Sequence, residues 1–433
     1  MHVPLNRMPP LPQELVNMII HHLQLPTDYN TLLACCLVCR AFLPAALSKL
    51  HFAAYIEKRN VRRASERLTP NVAQYICEVY LHSSHENSSW LSDGPLVVIL
   101  RQLLHLQKVR LHHCTWSALS SDLRAEIIRI FQGQRFRHVQ IFGVEGLPLT
   151  LFESFTNLRH LDISSISLQT PSQGPQFTPP IIPIDRSLIG RAGPAKIPIH
   201  LESLGLAVLS GELPSVSVEV QKKDMISVLD FLLNPSTSLD VTRLSTISFD
   251  TEPLSKEFEH GLGRLLDACC TSVGHVKMYS PVYANYESFK STSISFKRLC
   301  CLKSLVILVS HIQNGVMRWL ARILGTFEPL NAIEKIQIVF ILHDDHHQVT
   351  YNEWKFLNSV FMLPGSTSLS RLIVEWSIFP GALTLDEEHG FAFEDMVKSN
   401  LPYLSSRNIL EVRKMQLSHN DLFSLDRNLV TPY

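Results

Sequence analysis

The sequence predicts an α/β chain: three short helices at residues 9–52, then a solenoid of parallel strands with helices on the outer face over residues 53–417. Two observations predict it. First, a short pattern recurs ten times: an apolar residue, two variable residues, an apolar, one variable residue, an apolar. Its copies are Ile76-Val79-Leu81, Leu106-Val109-Leu111, Phe136-Val139-Ile141, Leu158-Leu161-Ile163, Leu201-Leu204-Leu206, Leu244-Ile247-Phe249, Val273-Val276-Met278, Leu302-Leu305-Ile307, Ile333-Ile336-Ile338 and Leu369-Leu372-Val374. First members advance by 30, 30, 22, 43, 43, 29, 29, 31 and 36 residues, an internal repeat long enough for one strand and one returning helix. Second, the stretches between triplets carry apolar residues at the three- and four-residue spacing of an amphipathic helix.

The elements follow in order. Pro12 suits the first turn of a helix, where its missing N–H costs nothing, and Glu14 complements the positive helix start. Leu15, Met18, Ile19 and Leu23 then repeat at helical spacing up to Pro26. Thr27, Asp28 and Asn30 are good caps for a second helix carrying Leu32, Leu33, Cys35 and Cys36. A third is expected from the Val38–Phe42 region to Leu50. About 40 residues make a marginal core alone, so this unit is expected to lean on a neighbour or a partner.

In each triplet the second and third apolar residues share one face of a strand, and the residues between point the other way. Returning helices are expected at Leu96–Leu104, Asp122–Phe131, Asp224–Leu233, Lys256–Cys270, Val316–Phe327, Glu353–Phe361 and Phe391–Ser399. Leu404 and Ile409–Val412 read as a closing helix and strand, and residues 418–433 as a tail or cap. The segment 169–199 holds seven prolines and three glycines and reads as an inserted loop.

Composition narrows the function classes. With 45% hydrophobic and 18% charged residues this is a foldable chain, not a disordered one. Thirty-nine basic residues balance 39 acidic ones, against the strongly basic surface of a general nucleic-acid binder. Residues 1–12 contain four prolines and no apolar run, so no secretory signal is expected; no stretch approaches the ~18 apolar residues that span a bilayer. Nine cysteines, several adjacent to one another, suit a reducing compartment, so a cytosolic or nuclear protein without membrane or nucleic-acid partners is expected.

The N-terminal residues carry a resemblance. Leu11-Pro12-Gln13-Glu14-Leu15, Ile19, Leu23, Leu32-Leu33 and Leu37-Val38-Cys39-Arg40-Ala41-Phe42 resemble an F-box, with Phe42 where that family has tryptophan. The triplets are similar to the core of leucine-rich repeats. Phrases such as Asn157-Leu158-Arg159-His160-Leu161-Asp162 resemble the fungal F-box-like proteins with irregular repeats of this kind. The resemblance implies a non-catalytic substrate receptor of a Skp–cullin–F-box ubiquitin ligase, docking the Skp adaptor through the F-box and capturing a protein substrate through the repeats. Carried over residue by residue, the adaptor-binding positions are Leu11, Pro12, Leu15, Ile19, Leu23, Leu32, Leu33, Val38, Cys39 and Phe42. Among them Leu11, Pro12 and Phe42 are expected at the contact, and Leu33 and Cys39 in the core. The competing expectation is a repeat scaffold whose F-box-like helices only cap the solenoid.

No catalytic signature is present: no G-x-S-x-G, no P-loop, no H-E-x-x-H and no dinucleotide fingerprint. Gly261-Leu262-Gly263 lies in a helical stretch, and Cys36-x-x-Cys39 lacks a second metal-ligating pair. His343-Asp344-Asp345-His346-His347 has metal-ligand chemistry but reads as a polar loop after a strand. An enzyme, a cofactor and a metal site are therefore not expected. Ligand-reading residues are expected on the outward strand positions: Lys108, Arg110, His138, Gln140, Arg159, His160, Lys277, Lys303, Lys335, Gln337, Arg371 and Glu375, mostly polar or basic and thus leaning towards an acidic partner.

Overall fold

The computed structural model describes residues 11–25, 28–83, 90–91, 94–169, 198–208, 213, 215–250, 255–280, 294–309, 316–329, 331–342, 351–363, 366–378 and 387–415. The chain is α/β, with parallel strands in open order, and it divides into two compact units between Gln140 and Ile141. Among the described residues no helix is long and apolar enough to cross a membrane.

The first unit begins with α1 (Gln13–His22), α2 (Tyr29–Val38) and α3 (Leu43–Leu50). Pro12 opens α1, its carbonyl accepting from the Leu15 and Val16 N–H groups. The third helix starts at Leu43, five residues later than the sequence pattern suggests. Residues 39–42 form a turn closed by the Phe42 N–H on the Cys39 carbonyl, and Pro44 sits in the helix's first turn. There follow β1 (Ala53–Ile56), α4 (Val61–Arg67), α5 (Pro70–Ala73), β2 (Glu78–His82), α6 (Gly94–Gln102), β3 (Lys108–His112) and α7 (Ser121–Phe131). Strands β1, β2 and β3 are parallel and in register: Ala54, Val79 and Val109 form one row, Ile56, Leu81 and Leu111 the next. β4 (His138–Phe142) lies across the division, and the chain enters it beside β3, where Arg137 and His138 both donate to the Gln107 carbonyl.

The second unit carries β5 (His160–Ser164), β6 (Ile199–His200), β7 (Ser203–Ala207), α8 (Val218–Leu233), β8 (Leu239–Asp240), β9 (Thr246–Asp250), α9 (Lys256–Ala268), β10 (His275–Ser280) and β11 (Ser304–Val309). It ends with α10 (Val316–Leu324), β12 (Lys335–Leu342), α11 (Tyr351–Phe361), β13 (Arg371–Ile378), α12 (Glu387–Asn400), α13 (Pro402–Ser406) and β14 (Leu410–Lys414). The main strands are parallel in the order β5-β7-β9-β10-β11-β12-β13-β14. Leu161, Leu204, Ile247, Val276, Leu305, Ile336, Leu372 and Leu410 make one continuous row across them. A one-residue slip would turn each strand's apolar pair outward, so burial of that pair fixes the register.

All ten triplets lie on strands or the turns that lead into them, and all thirty members are buried. The seven expected returning helices are α6 to α12. Serine starts three of them: Ser120, Ser217 and Ser255 accept the N–H of Leu123, Val220 and Phe258, each three residues on. Such caps contribute about 1 kcal/mol each, and with Ser217 as its cap α8 begins at Val218, six residues before the expected start at Asp224. The two 43-residue intervals also acquire a physical explanation. Each contains one strand of a separate parallel pair, with Ile199 opposite Leu239 and His200 opposite Asp240. Of the Pro-rich segment only Gln169, Pro198 and Ile199 are described; the tail 418–433 and the cluster His343–His347 lie outside the described residues.

Candidate docking surface

The helices α1–α3 are too short to enclose the apolar residues they carry. Their core consists of Ile20, Leu32 and Ala46, with Leu23, Cys35, Cys36, Phe42, Ala45 and Leu50 packed against it. Val16 of α1 is also fully buried, and most of the remaining apolar residues face out. Eighteen large apolar side chains are exposed among the described residues, and twelve of them lie between Leu11 and Tyr55. Leu37 is the extreme case at 88% exposure, followed by Val38 at 67%. A monomeric surface scatters such residues singly, so twelve within 45 consecutive positions mark this part of the chain as a candidate docking surface.

The ten expected adaptor-contact positions separate by burial. Leu11, Pro12, Leu15, Ile19, Leu33, Val38 and Cys39 are exposed; Leu23 and Phe42 are half-buried against the small core; Leu32 is fully buried. This reverses two of the expected roles. Leu33 and Cys39 stand outside the core, because the buried side of α2 is set by Leu32, Cys35 and Cys36, one helical turn apart. Phe42 closes the core from the turn before α3 and presents only part of its ring. Burial, then the neighbouring Cys35, pushes the Cys36 thiol up, consistent with a packing residue.

The open strand face differs from the basic, solvated surface expected. In the first unit Lys108, Arg110 and Gln140 are buried. Tyr55 and Tyr80 stack with centroids 4.2 Å apart, and the Arg110 guanidinium lies 4.2 Å over the Tyr80 ring. Glu78 takes the Tyr80 hydroxyl at 3.2 Å and lies 3.8 Å from Arg110. Burial pushes the Tyr80 phenol up strongly, with Arg110 opposing. Tyr80 occupies the same place in its triplet as Arg110, so the pattern already marked it as outward. His82, His112 and His113 form a neighbouring cluster of ring contacts, with centroids 5.6–6.4 Å apart.

In the second unit the outward row begins Asp162, Gly205, Ser248, Lys277. The two middle residues are small, which lets the Asp162 carboxylate and the Lys277 ammonium act on each other across two strands. Burial pushes Lys277 down and Asp162 opposes it. Further along, Glu375 accepts from Gln337 Nε2 and from Arg413 Nε, both at 2.7 Å, and Glu411 takes Arg371 Nε at 2.9 Å. Leu308, Val339 and Ile341 form an apolar cluster on this face with Tyr279 and Met415. Acids and apolar residues thus share the face with the bases. Arg159 is not on it: it lies in the turn before β5, exposed and paired with Glu202. Lys303 is also exposed ahead of its strand.

Among the described residues no group of three or more His, Cys, Asp or Glu side chains is placed to hold a metal ion. No family model matches the chain. No curated protein matches it.

Proposed function

We propose that this chain is a non-catalytic substrate receptor of a Skp–cullin–F-box ubiquitin ligase. In this reading α1–α3 are an F-box that holds the Skp adaptor, and the strand-and-helix repeats are an irregular leucine-rich-repeat solenoid that captures a protein. The observation that carries it is the concentration of exposed apolar residues on three helices whose own core is already complete. Desolvating such a face favours association by roughly 25 cal/mol per Å² of apolar surface, less the cost of immobilising the partner. A mere capping role fits less well. The helices close a core of their own, and a groove of about 990 Å³ lies between α1, α3 and β1 where a cap would be packed.

The test is co-expression of the full chain with a Skp-family adaptor, followed by affinity capture and size-exclusion chromatography. A one-to-one complex is expected, lost when residues 9–50 are removed. Capture that survives that deletion would rule out docking through α1–α3, and no complex with the intact chain would favour a repeat scaffold without an adaptor.

A further inference from the structure

The groove beside β1 lies on a different side of α1 from the adaptor-facing residues. Asn17 and His21 of α1 line it, whereas Leu15 and Ile19 lie on the opposite flank of that helix. Its far wall is the strand itself, through Phe52, Ala53 and Tyr55.

β1 is an edge. It pairs with β2 and, among the described residues, with no other strand. The Phe52 carbonyl accepts from Cys77 and Glu78, at 2.9 and 3.0 Å, and therefore faces β2. Strand alternation turns the peptide groups of Ala53 and Tyr55 the other way, towards the groove. Beyond Tyr55 that edge is closed by one side chain: Asn60 donates to the Tyr55 carbonyl and accepts from the Glu57 N–H, both at 2.8 Å. The Ala53 N–H, the Ala53 carbonyl and the Tyr55 N–H remain on the open side of the strand, a donor–acceptor–donor row for an added strand. β1 is short and Asn60 closes its far end, but among the described residues no proline, bulge or inward charge interrupts Ala53–Ile56, and Phe52 and Tyr55 expose their rings.

The charge around the groove selects among occupants. Its lining contains Lys49 and His21 and no acid. From Lys49 to Arg67 the chain carries Lys49, Lys58, Arg59, Arg62, Arg63 and Arg67 against only Glu57 and Glu66, although the whole protein is neutral. A second copy would bring two such cationic stretches together and is disfavoured. A long polyanion needs a broader basic surface than this. We propose that β1 takes an extended, acidic segment of a protein partner as an added strand. Alternate apolar side chains of that segment enter the groove against α1 and α3, and its carboxylates face Lys49 and Lys58. This rests on the edge and groove alone and does not require the adaptor complex.

The probe is a fluorescent seven-residue peptide of alternating valine and glutamate, titrated into the full chain and read by anisotropy. Saturable binding is expected, with none for the matching valine–lysine peptide. Two versions N-methylated on odd or on even residues separate the mechanism: one loses roughly tenfold or more in affinity and the other does not, because only one set of N–H groups faces the strand. Ala53→Pro, at an edge position that tolerates proline, loses a similar factor with an unchanged circular-dichroism spectrum. Lys49→Glu with Lys58→Glu weakens binding and flattens its salt dependence. Absence of saturable binding, equal binding of both N-methylated peptides, displacement by an RNA oligonucleotide in place of the acidic peptide, or self-association abolished by Ala53→Pro would each overturn the proposal.

Discussion

Gly261 of α9 lies directly against Leu229 of α8: a Cβ added to the glycine would sit 3.1 Å from Leu229 Cδ1 and 3.7 Å from its Cβ. Leu229 is fully buried, so its packing resists the few tenths of an ångström by which it would have to give. Two residues on, Gly263 has nothing within 4 Å of the same position. The two glycines should therefore respond oppositely to alanine. Gly263→Ala gains helix propensity and stabilises by about 1 kcal/mol. Gly261→Ala gains the same propensity but overpacks the helix interface at a cost of about 1–3 kcal/mol, for a net loss. Urea unfolding of both variants checks the pair, and a stabilised Gly261→Ala would show that the helices approach less closely.

Asn331 holds the turn before β12 to the one before β11. Its Nδ2 donates to the Phe296 carbonyl at 3.0 Å and the Leu299 carbonyl at 2.8 Å, and its Oδ1 accepts from the Glu328 N–H. Asn331→Ala should cost about 1–3 kcal/mol, since the site is buried and the freed groups stay desolvated. Asn331→Asp keeps the acceptor but sets a carboxylate against two carbonyls, so it should cost more than alanine at pH 7. Thermal melting of the two variants tests that order.

Asp240 gives the short β6–β8 pair an acid dependence. Burial alone would raise its pKa, but the Thr242 N–H and hydroxyl and the His200 imidazole, whose Nδ1 lies 2.7 Å away, together hold it below the usual carboxylate range. A carboxyl depressed in the folded state contributes stability above its unfolded pKa of about 3.9, and loses it as pH falls through the folded value. The stability gap between wild type and Asp240→Asn should thus be fully present above about pH 5 and narrow as the pH falls past the unfolded value of about 3.9. Chemical denaturation at four pH values reads it; a gap that widens in acid would contradict the assignment.

The strand stack was legible because a period-two pattern specifies which side of a strand is buried, and Val79, Leu161 or Ile336 can satisfy it locally. β1 was not, since Ala54 stands where every other repeat has a larger residue and the triplet is lost. The pair β6–β8 has two residues per strand, too few for any periodicity. Burial of Arg110, Asp162 and Glu375 on the outward side was equally unreadable. It depends on what lies over a face, and alternation along one strand reports only the other face. At the helices the spacing showed that many apolar residues share a small unit. Which of Leu32 and Leu33 turned inward depended on the crossing of α2 with α3, information that adjacent apolar residues do not carry.

Those two leucines now separate folding from docking. Leu32 is fully buried with Ile20 and Ala46, so Leu32→Ala should destabilise the helical unit by about 2–5 kcal/mol and weaken adaptor capture only through unfolding. Leu33 is 42% exposed on the adjacent flank, where a polar side chain can reach water. Leu33→Asp, alone or with Val38→Asp, should change stability by roughly 0.5 kcal/mol or less and still abolish adaptor capture, because a carboxylate in a desolvated apolar contact has no partner. Melting and capture measured on the same preparations distinguish the two effects. Were Leu33→Asp and Val38→Asp both to capture the adaptor as well as wild type, the exposed face of α2 would have no part in docking.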